Sequence, residues 1–201
     1  MIMRRTPMAR MALVSGLLGA IACTPAVVTP LPQAVRRIAV LPPYQRGANS
    51  LTSSTDSDVP RPLRMTVGDL LAQQARARLV EKGFEVIDDS IVKRVTRNRV
   101  PTNPLVAAQI LQEAHLDATA MYIEVRRWEP SRSGMKTDSV IVALDVFLVD
   151  PLTGSVLWQI RRPSRPVPLY GVLLTSQAHV FVAETVMREV FAQIRSRPPN
   201  A

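Results

Sequence analysis

The chain carries one cysteine, Cys23, and two histidines, His115 and His179, and that inventory narrows the chemistry at once. A lone thiol cannot close an intramolecular disulfide, so the folded part must be held by packing. Two histidines in helical patterns, with no second cysteine, are too few for a tetrahedral zinc site. His115 is expected to complement the dipole of a last helical turn, and His179 to belong to an apolar helical run. No metal is expected. Among the carboxylates, Asp88 and Asp89 stand where a strand gives way to a short helix and read as an N-cap. Asp145 interrupts an apolar strand; buried, it needs a partner, and an arginine on a neighbouring strand is expected. Asp150 belongs to a turn. Ser15 forms no nucleophile pattern, and no Gly-x-Ser-x-Gly elbow, phosphate loop or dinucleotide fingerprint occurs. Neither a catalytic residue nor a cofactor is therefore expected.

Arginines recur in groups: Arg36 and Arg37; Arg94, Arg97 and Arg99; Arg126 and Arg127; Arg161 and Arg162 with Arg165. A solvated surface is the ordinary place for such groups. Where they converge they would hold phosphate headgroups or an acidic partner, with aromatic anchors beside them. The candidate interaction surface is accordingly Arg126, Arg127, Trp128, Arg161, Arg162 and Tyr170. Tyr44 is a further aromatic near such a group, and the proline-rich stretch 163–170 is a second exposed docking candidate.

The setting of Cys23 is the sharpest signal. Arg4, Arg5 and Arg10 precede a run from Met11 to Ala22 that carries no charge. A basic start, an apolar run and small residues before a cut are the order of a secretory signal. The run is well short of the ~18 residues that let a helix span a membrane. The sequence Leu18-Gly-Ala-Ile-Ala-Cys23 resembles the lipobox of bacterial lipoproteins, with Ala20 where the pattern favours Leu. The resemblance implies that the Cys23 thiol takes a diacylglycerol, that the preceding bond is cut and that the new amino terminus is acylated. Thr24, where an Asp would mean retention at the inner membrane, implies the outer membrane.

Residues 1–22 are thus expected to leave as a signal peptide. Residues 23–35, with Pro25, Pro30 and Pro32, form an extended tether, residues 36–197 a folded domain and residues 198–201 a tail. Removing Arg4, Arg5 and Arg10 leaves 22 basic residues against 16 acidic ones, a formal charge of +6. That balance suits anionic lipid or an acidic partner, and export makes nucleic acid a poor one.

The elements follow from periodicity. Ile38 to Leu41, closed by Pro42 and Pro43, reads as a strand, and residues 45–64 as a long polar loop. Val67, Leu70, Leu71, Ala75 and Leu79 fall at helical spacing, with Gly83 as a left-handed cap. Phe84 to Ile87 is a second strand. Asn103 before Pro104 starts a second helix running to His115. Met121, Ile123 and Val125 alternate with Tyr122, Glu124 and Arg126, a strand with one covered face. Val140 to Val149 reads as a central strand, joined through the turn Asp150-Pro-Leu-Thr-Gly154 to Val156–Ile160. Val180, Ala183, Met187, Val190, Phe191 and Ile194 give the last helix. The expected fold is a single α/β (α+β) domain, a mixed sheet of about five strands packed with about three helices, in the order β-α-β-α-β-β-β-α.

The phrases Ile38-Ala-Val-Leu-Pro-Pro43, Glu81-Lys-Gly-Phe-Glu-Val86, Leu116-Asp-Ala-Thr-Ala-Met-Tyr-Ile-Glu-Val125 and Leu148-Val-Asp-Pro-Leu-Thr-Gly-Ser-Val-Leu-Trp158 resemble a family of bacterial lipoproteins. The fold of that family is similar to the amino-terminal domain of TolB and the periplasmic domain of CsgG. The resemblance spans about residues 36–195. It implies a non-enzymatic accessory domain, anchored to the membrane by its lipid and working beside other envelope lipoproteins in transport, secretion or assembly. It leaves the oligomeric state open. The alternative is a periplasmic module that binds anionic lipid or cell-wall glycan through its basic loops.

Overall fold

Alternation in the first strand sorts the whole molecule into layers. In β1 (Arg37–Val40) Ile38 and Val40 point to one side of the sheet, while Ala39 and Leu41 point to the other, as the period of two in an extended chain requires. The structure, a computed structural model, describes residues 35–46, 65–133, 136–169 and 175–196. Cys23 with its signal and tether, most of the expected loop over 45–64, Tyr170 and the tail lie outside them.

The sheet runs in the order β3-β1-β4-β5-β6, with β2 beside β4. The strand β2 (Tyr44–Gln45) was not expected. The prolines at 42 and 43 interrupt the ladder rather than end it: Leu41 still donates to the Met121 carbonyl, and Tyr44 and Gln45 resume parallel pairing opposite Glu124 and Val125. The strand β3 (Glu85–Val86) pairs parallel with β1, which in turn lies parallel to β4 (Thr119–Ser133). The strands β5 (Lys136–Val149) and β6 (Val156–Pro168) complete two antiparallel hairpins with β4. Two crossovers and two hairpins were expected and are found. Val140 to Val149 lies between two neighbours, as read from its apolar run.

Helix α1 (Val67–Glu81) starts from a capping box: the Thr66 hydroxyl accepts from the Asp69 N–H and the Asp69 carboxylate accepts from the Thr66 N–H. Caps of this kind contribute about 1 kcal/mol. All five expected apolar positions are buried, and Gly83 at φ 84° reverses the chain. A short helix, α2 (Asp89–Val95), is capped by Asp88. The Ser90 hydroxyl and N–H both donate to that carboxylate and hold it below its usual pKa. Helix α3 (Pro104–Glu113) has Asn103 as its N-cap, and His115, at φ 52°, ends it in the left-handed region. Helix α4 (Thr175–Phe191) buries Ala178, Val182, Ala183, Val186, Met187, Val190 and Phe191. Val180 was expected in that stripe and is exposed. The molecule thus has six strands and four helices among the described residues, against about five and three expected.

Helices α1 and α4 cover one face of the sheet over Met121, Ile123, Val125, Leu144, Val146 and Leu148. Helices α2 and α3 cover part of the other, over Ala39, Ala120, Tyr122, Phe147 and Val149. The strand over 121–125 was expected to have one covered face. It has two at its start, because Tyr122 stacks on Phe147 under α3, with ring centroids 4.8 Å apart, a geometry that adds about 1 kcal/mol to burial. Beyond Glu124 the second face carries polar side chains.

The strand expected over 156–160 continues to Pro168, so most of the proline-rich stretch is an edge strand. The Leu169 N–H donates to the Asp138 carbonyl, and Val167 pairs with Val140. Alternation then turns Pro166 and Pro168 toward the open side, where an edge strand needs no donor.

Candidate interaction surface

Two bulges decide where the nominated residues stand. The register of β4 against β5 slips between Val125 and Arg127, leaving Arg126 as the extra residue. A bulge inserts one residue and re-aims the side chains after it. Arg126 and Arg127 therefore share the second face of the sheet, and Trp128 takes the inner position that strict alternation would have given to Arg127. The β5–β6 pairing slips between Val142 and Leu144, after which Arg162 faces inward.

Arg126 is pinned rather than free. Its Nε lies 2.9 Å from Asp145 Oδ2, its Nη2 donates to Asp145 Oδ1 at 3.2 Å and to the Arg162 carbonyl at 3.0 Å. The partner expected for Asp145, an arginine from a neighbouring strand, is thus present, and Asp145 is 7% exposed. Arg161, on β6, is largely solvated, with Nε 3.9 Å from Asp145 Oδ1. Arg127 donates through Nε and Nη2 to Glu129 Oε2 and through Nη1 to Ser164 Oγ at 3.4 Å. Arg46 reaches Glu124 at 3.6 Å. The result is a striped polar face on which Arg127 and Arg161 present their cations to solvent.

Trp128 and Arg162 stand on the other face, inside the molecule. Trp128 is 3% exposed; its Nε1–H donates to His179 Nδ1 at 3.1 Å, and the two rings stack at 6.0 Å. Arg162 is 6% exposed and ties three elements together. Its Nε donates to Glu189 Oε2 on α4, and its Nη1 donates to the Val142 and Arg165 carbonyls. The structure therefore gathers Arg126, Arg127 and Arg161 on one surface and separates them from Trp128 and Arg162. Tyr170 and Cys23 lie outside the described residues. No group of three His, Cys, Asp or Glu side chains able to hold a metal gathers among the described residues.

The Trp128 bond fixes the state of His179. An accepting Nδ1 carries no proton, and burial lowers the pKa of the ring below its ordinary 6.5. A group with a depressed folded pKa gives stability that is present above its unfolded pKa and lost as pH falls through the folded one. Stability is therefore expected to decline from about pH 6.5 downward, by at most about 1.4 kcal/mol per pH unit for one proton. Urea unfolding between pH 7 and 5 should show that slope, and His179→Gln should remove it. Parallel curves for both proteins would mean that the imidazole does not titrate on unfolding.

No family model matches the chain, and no curated protein matches it. Solved structures do. PelC from Paraburkholderia phytofirmans, a dodecamer, superposes with a TM-score of 0.51 at 16% identity over 84% of this chain and 94% of that one. The fold is similar to that of PelC. A point variant of the same protein gives 0.50 over the same shares. Lipoprotein GNA1162 from Neisseria meningitidis also matches, at 0.46 and 19% identity over 77% of this chain and 98% of that one. At these identities the shared property is the fold alone.

Proposed function

We propose that the chain is a lipid-anchored, non-enzymatic accessory protein of the bacterial envelope. It is held at the outer membrane through Cys23 and faces the periplasm, where its domain binds other envelope proteins in a transport, secretion or assembly complex. The observation that carries this reading is the order of the amino terminus: three arginines, a charge-free run of small and apolar residues, and the chain's one cysteine at its end. Three acyl chains on that cysteine would exceed the two hydrophobic signals that lasting attachment needs. Among the described residues no helix is long and apolar enough to cross a membrane; the attachment proposed is the lipid on Cys23.

The docking face favoured by the geometry is the striped one, where Arg127 and Arg161 are exposed and Arg126 is held between them. A ligand-binding module for anionic lipid or glycan draws less support, because it would need a pocket where arginines converge beside an aromatic, and of the surface nominated for either reading Trp128 and Arg162 are buried in structural bonds. PelC, which has a similar fold, is a dodecamer, so a second copy of this chain is among the partners to score.

The test is co-purification from detergent-solubilised envelopes. The wild-type chain is expected to retain defined partners, and the double substitution Arg127→Glu, Arg161→Glu to lose them with an unchanged circular dichroism spectrum. A chain that elutes alone and monomeric in both forms would overturn the reading.

A further inference from the structure

We infer that the end of the domain where the tether enters rests on the bilayer, with the β5–β6 turn pressed into the headgroup layer. This rests on the anchoring reading above and says which side of the domain meets the lipid. Leu152, at the tip of that turn, is 82% exposed, more than any other large hydrophobic residue among those described, and Leu105 and Val156 flank the turn at 59% and 43%. Large exposed apolar groups gathered at one place mark an interaction surface.

The turn is not a loose loop that could fold its leucine away. Asp150 N–H donates to the Ser155 carbonyl and Gly154 N–H to the Asp150 carbonyl. The Asp150 carboxylate accepts from the Leu152 N–H at 3.1 Å and from the Thr153 hydroxyl at 2.7 Å. From outside the turn, Gln112 Nε2 donates to the carbonyls of Pro151 and Leu152. Gly154, at φ 70°, lets the chain return beside α3, where a Cβ would stand 3.2 Å from Leu105 Cδ1. Backbone and helix together hold Leu152 outward.

Position selects the bilayer as occupant. Leu152 and Pro151 line one cleft with Val35, the last residue of the expected tether, with Arg36 and Arg37, which follow it, and with Leu116. About eleven residues separate Val35 from Cys23, a reach of at most roughly 40 Å, so the anchor keeps the domain near the bilayer, and the chain enters the domain at this end. Arg36 and Arg37 line this cleft, Arg37 with its Nε 2.9 Å from Glu85 Oε1. Asp117 and Asp150 line it too, the Asp150 carboxylate being taken up by the turn, and the arginines are the groups there that suit lipid phosphates. An apolar tip with cations behind it is the pattern of interfacial contact.

The full acylated chain offers a clean probe. Because Cys23 is the single cysteine and its thiol is taken by lipid, Leu152→Cys provides one thiol for an environment-sensitive fluorophore, and Val180→Cys, exposed on α4, provides the control. In vesicles of phosphatidylethanolamine and phosphatidylglycerol, emission at 152 is expected to shift to the blue and to be quenched more than twofold by a bilayer-embedded quencher, with 180 unchanged. Equal, water-like emission at both positions overturns the proposal. So does a label at 152 that is buried only in native envelope membranes, which would make the occupant a protein. Intact mass reports acylation separately: an unmodified Cys23 overturns the anchoring reading, and with it the lipid orientation inferred here. An acylated chain whose label at 152 stays water-like overturns this proposal alone.

Discussion

Replacing Cys23 by alanine is expected to move the protein from the membrane to the soluble fraction without unfolding it. The thiol is the only group at that position able to take a diacylglycerol, and burial of acyl chains contributes ~0.8 kcal/mol per methylene group. Losing two or more chains therefore lowers membrane partitioning by at least on the order of 100-fold. Among the described residues the core clusters are built from Val35 to Ile194, so the variant's circular dichroism and urea midpoint are expected to match those of the wild type. Detergent-phase partitioning and labelled-palmitate incorporation should both vanish, with precursor accumulating or a soluble form released by a cut elsewhere. A wild-type protein that is soluble from the outset and takes up no palmitate removes the basis of the functional reading.

Asp145→Ala is expected to cost about 3 kcal/mol of stability, more than an ordinary surface substitution by several-fold. The carboxylate sits between β4 and β6, and its loss strands the Arg126 guanidinium, 19% exposed, with the Arg162 carbonyl as its one remaining hydrogen-bond partner among the described residues. A charge left in a poorly hydrated site bears the desolvation without the attraction that offset it. Exchanging both residues for leucine removes charge and counter-charge together, so Asp145→Leu with Arg126→Leu is expected to lose less than either single change. Urea unfolding of the four proteins in a double-mutant cycle measures the coupling. Additive costs would show that the pair contributes no mutual stabilisation in this fold.

The helices were legible because their signals are local. Thr66 with Asp69, Gly83, Asn103 with Pro104, and apolar residues three and four apart depend only on sequence neighbours, and they stand where the spacing put them. The long hairpins were legible only in their apolar halves. Residues 129–133 and 161–168 carry too little alternating hydrophobicity to announce strands, and three prolines in the latter read as breakers until the sheet places them on its edge. Trp128 shows the other limit. Read beside Arg126 and Arg127 it looks like a surface anchor, whereas one extra residue in the ladder turns it inward. The step of three from Val125 to Trp128, after the steps of two from Met121, is the trace such a bulge leaves in a sequence. Nothing local could have joined Trp128 to His179, which lies on another element far along the chain.

The prolines of β6 also limit how the molecule can assemble. A sheet edge ordinarily recruits a further strand by offering alternating donors and acceptors, which is how proteins borrow a strand from a partner or run together into fibrils. Between Arg165 and Leu169 both outward positions are proline, so that stretch can accept hydrogen bonds but has no N–H to give. Were the chain concentrated on a membrane surface, as proposed above, where neighbours meet in two dimensions, that stretch would be closed to adventitious β-pairing. Contacts along it must come through side chains and faces, which can be regulated and released, rather than through a shared backbone ladder.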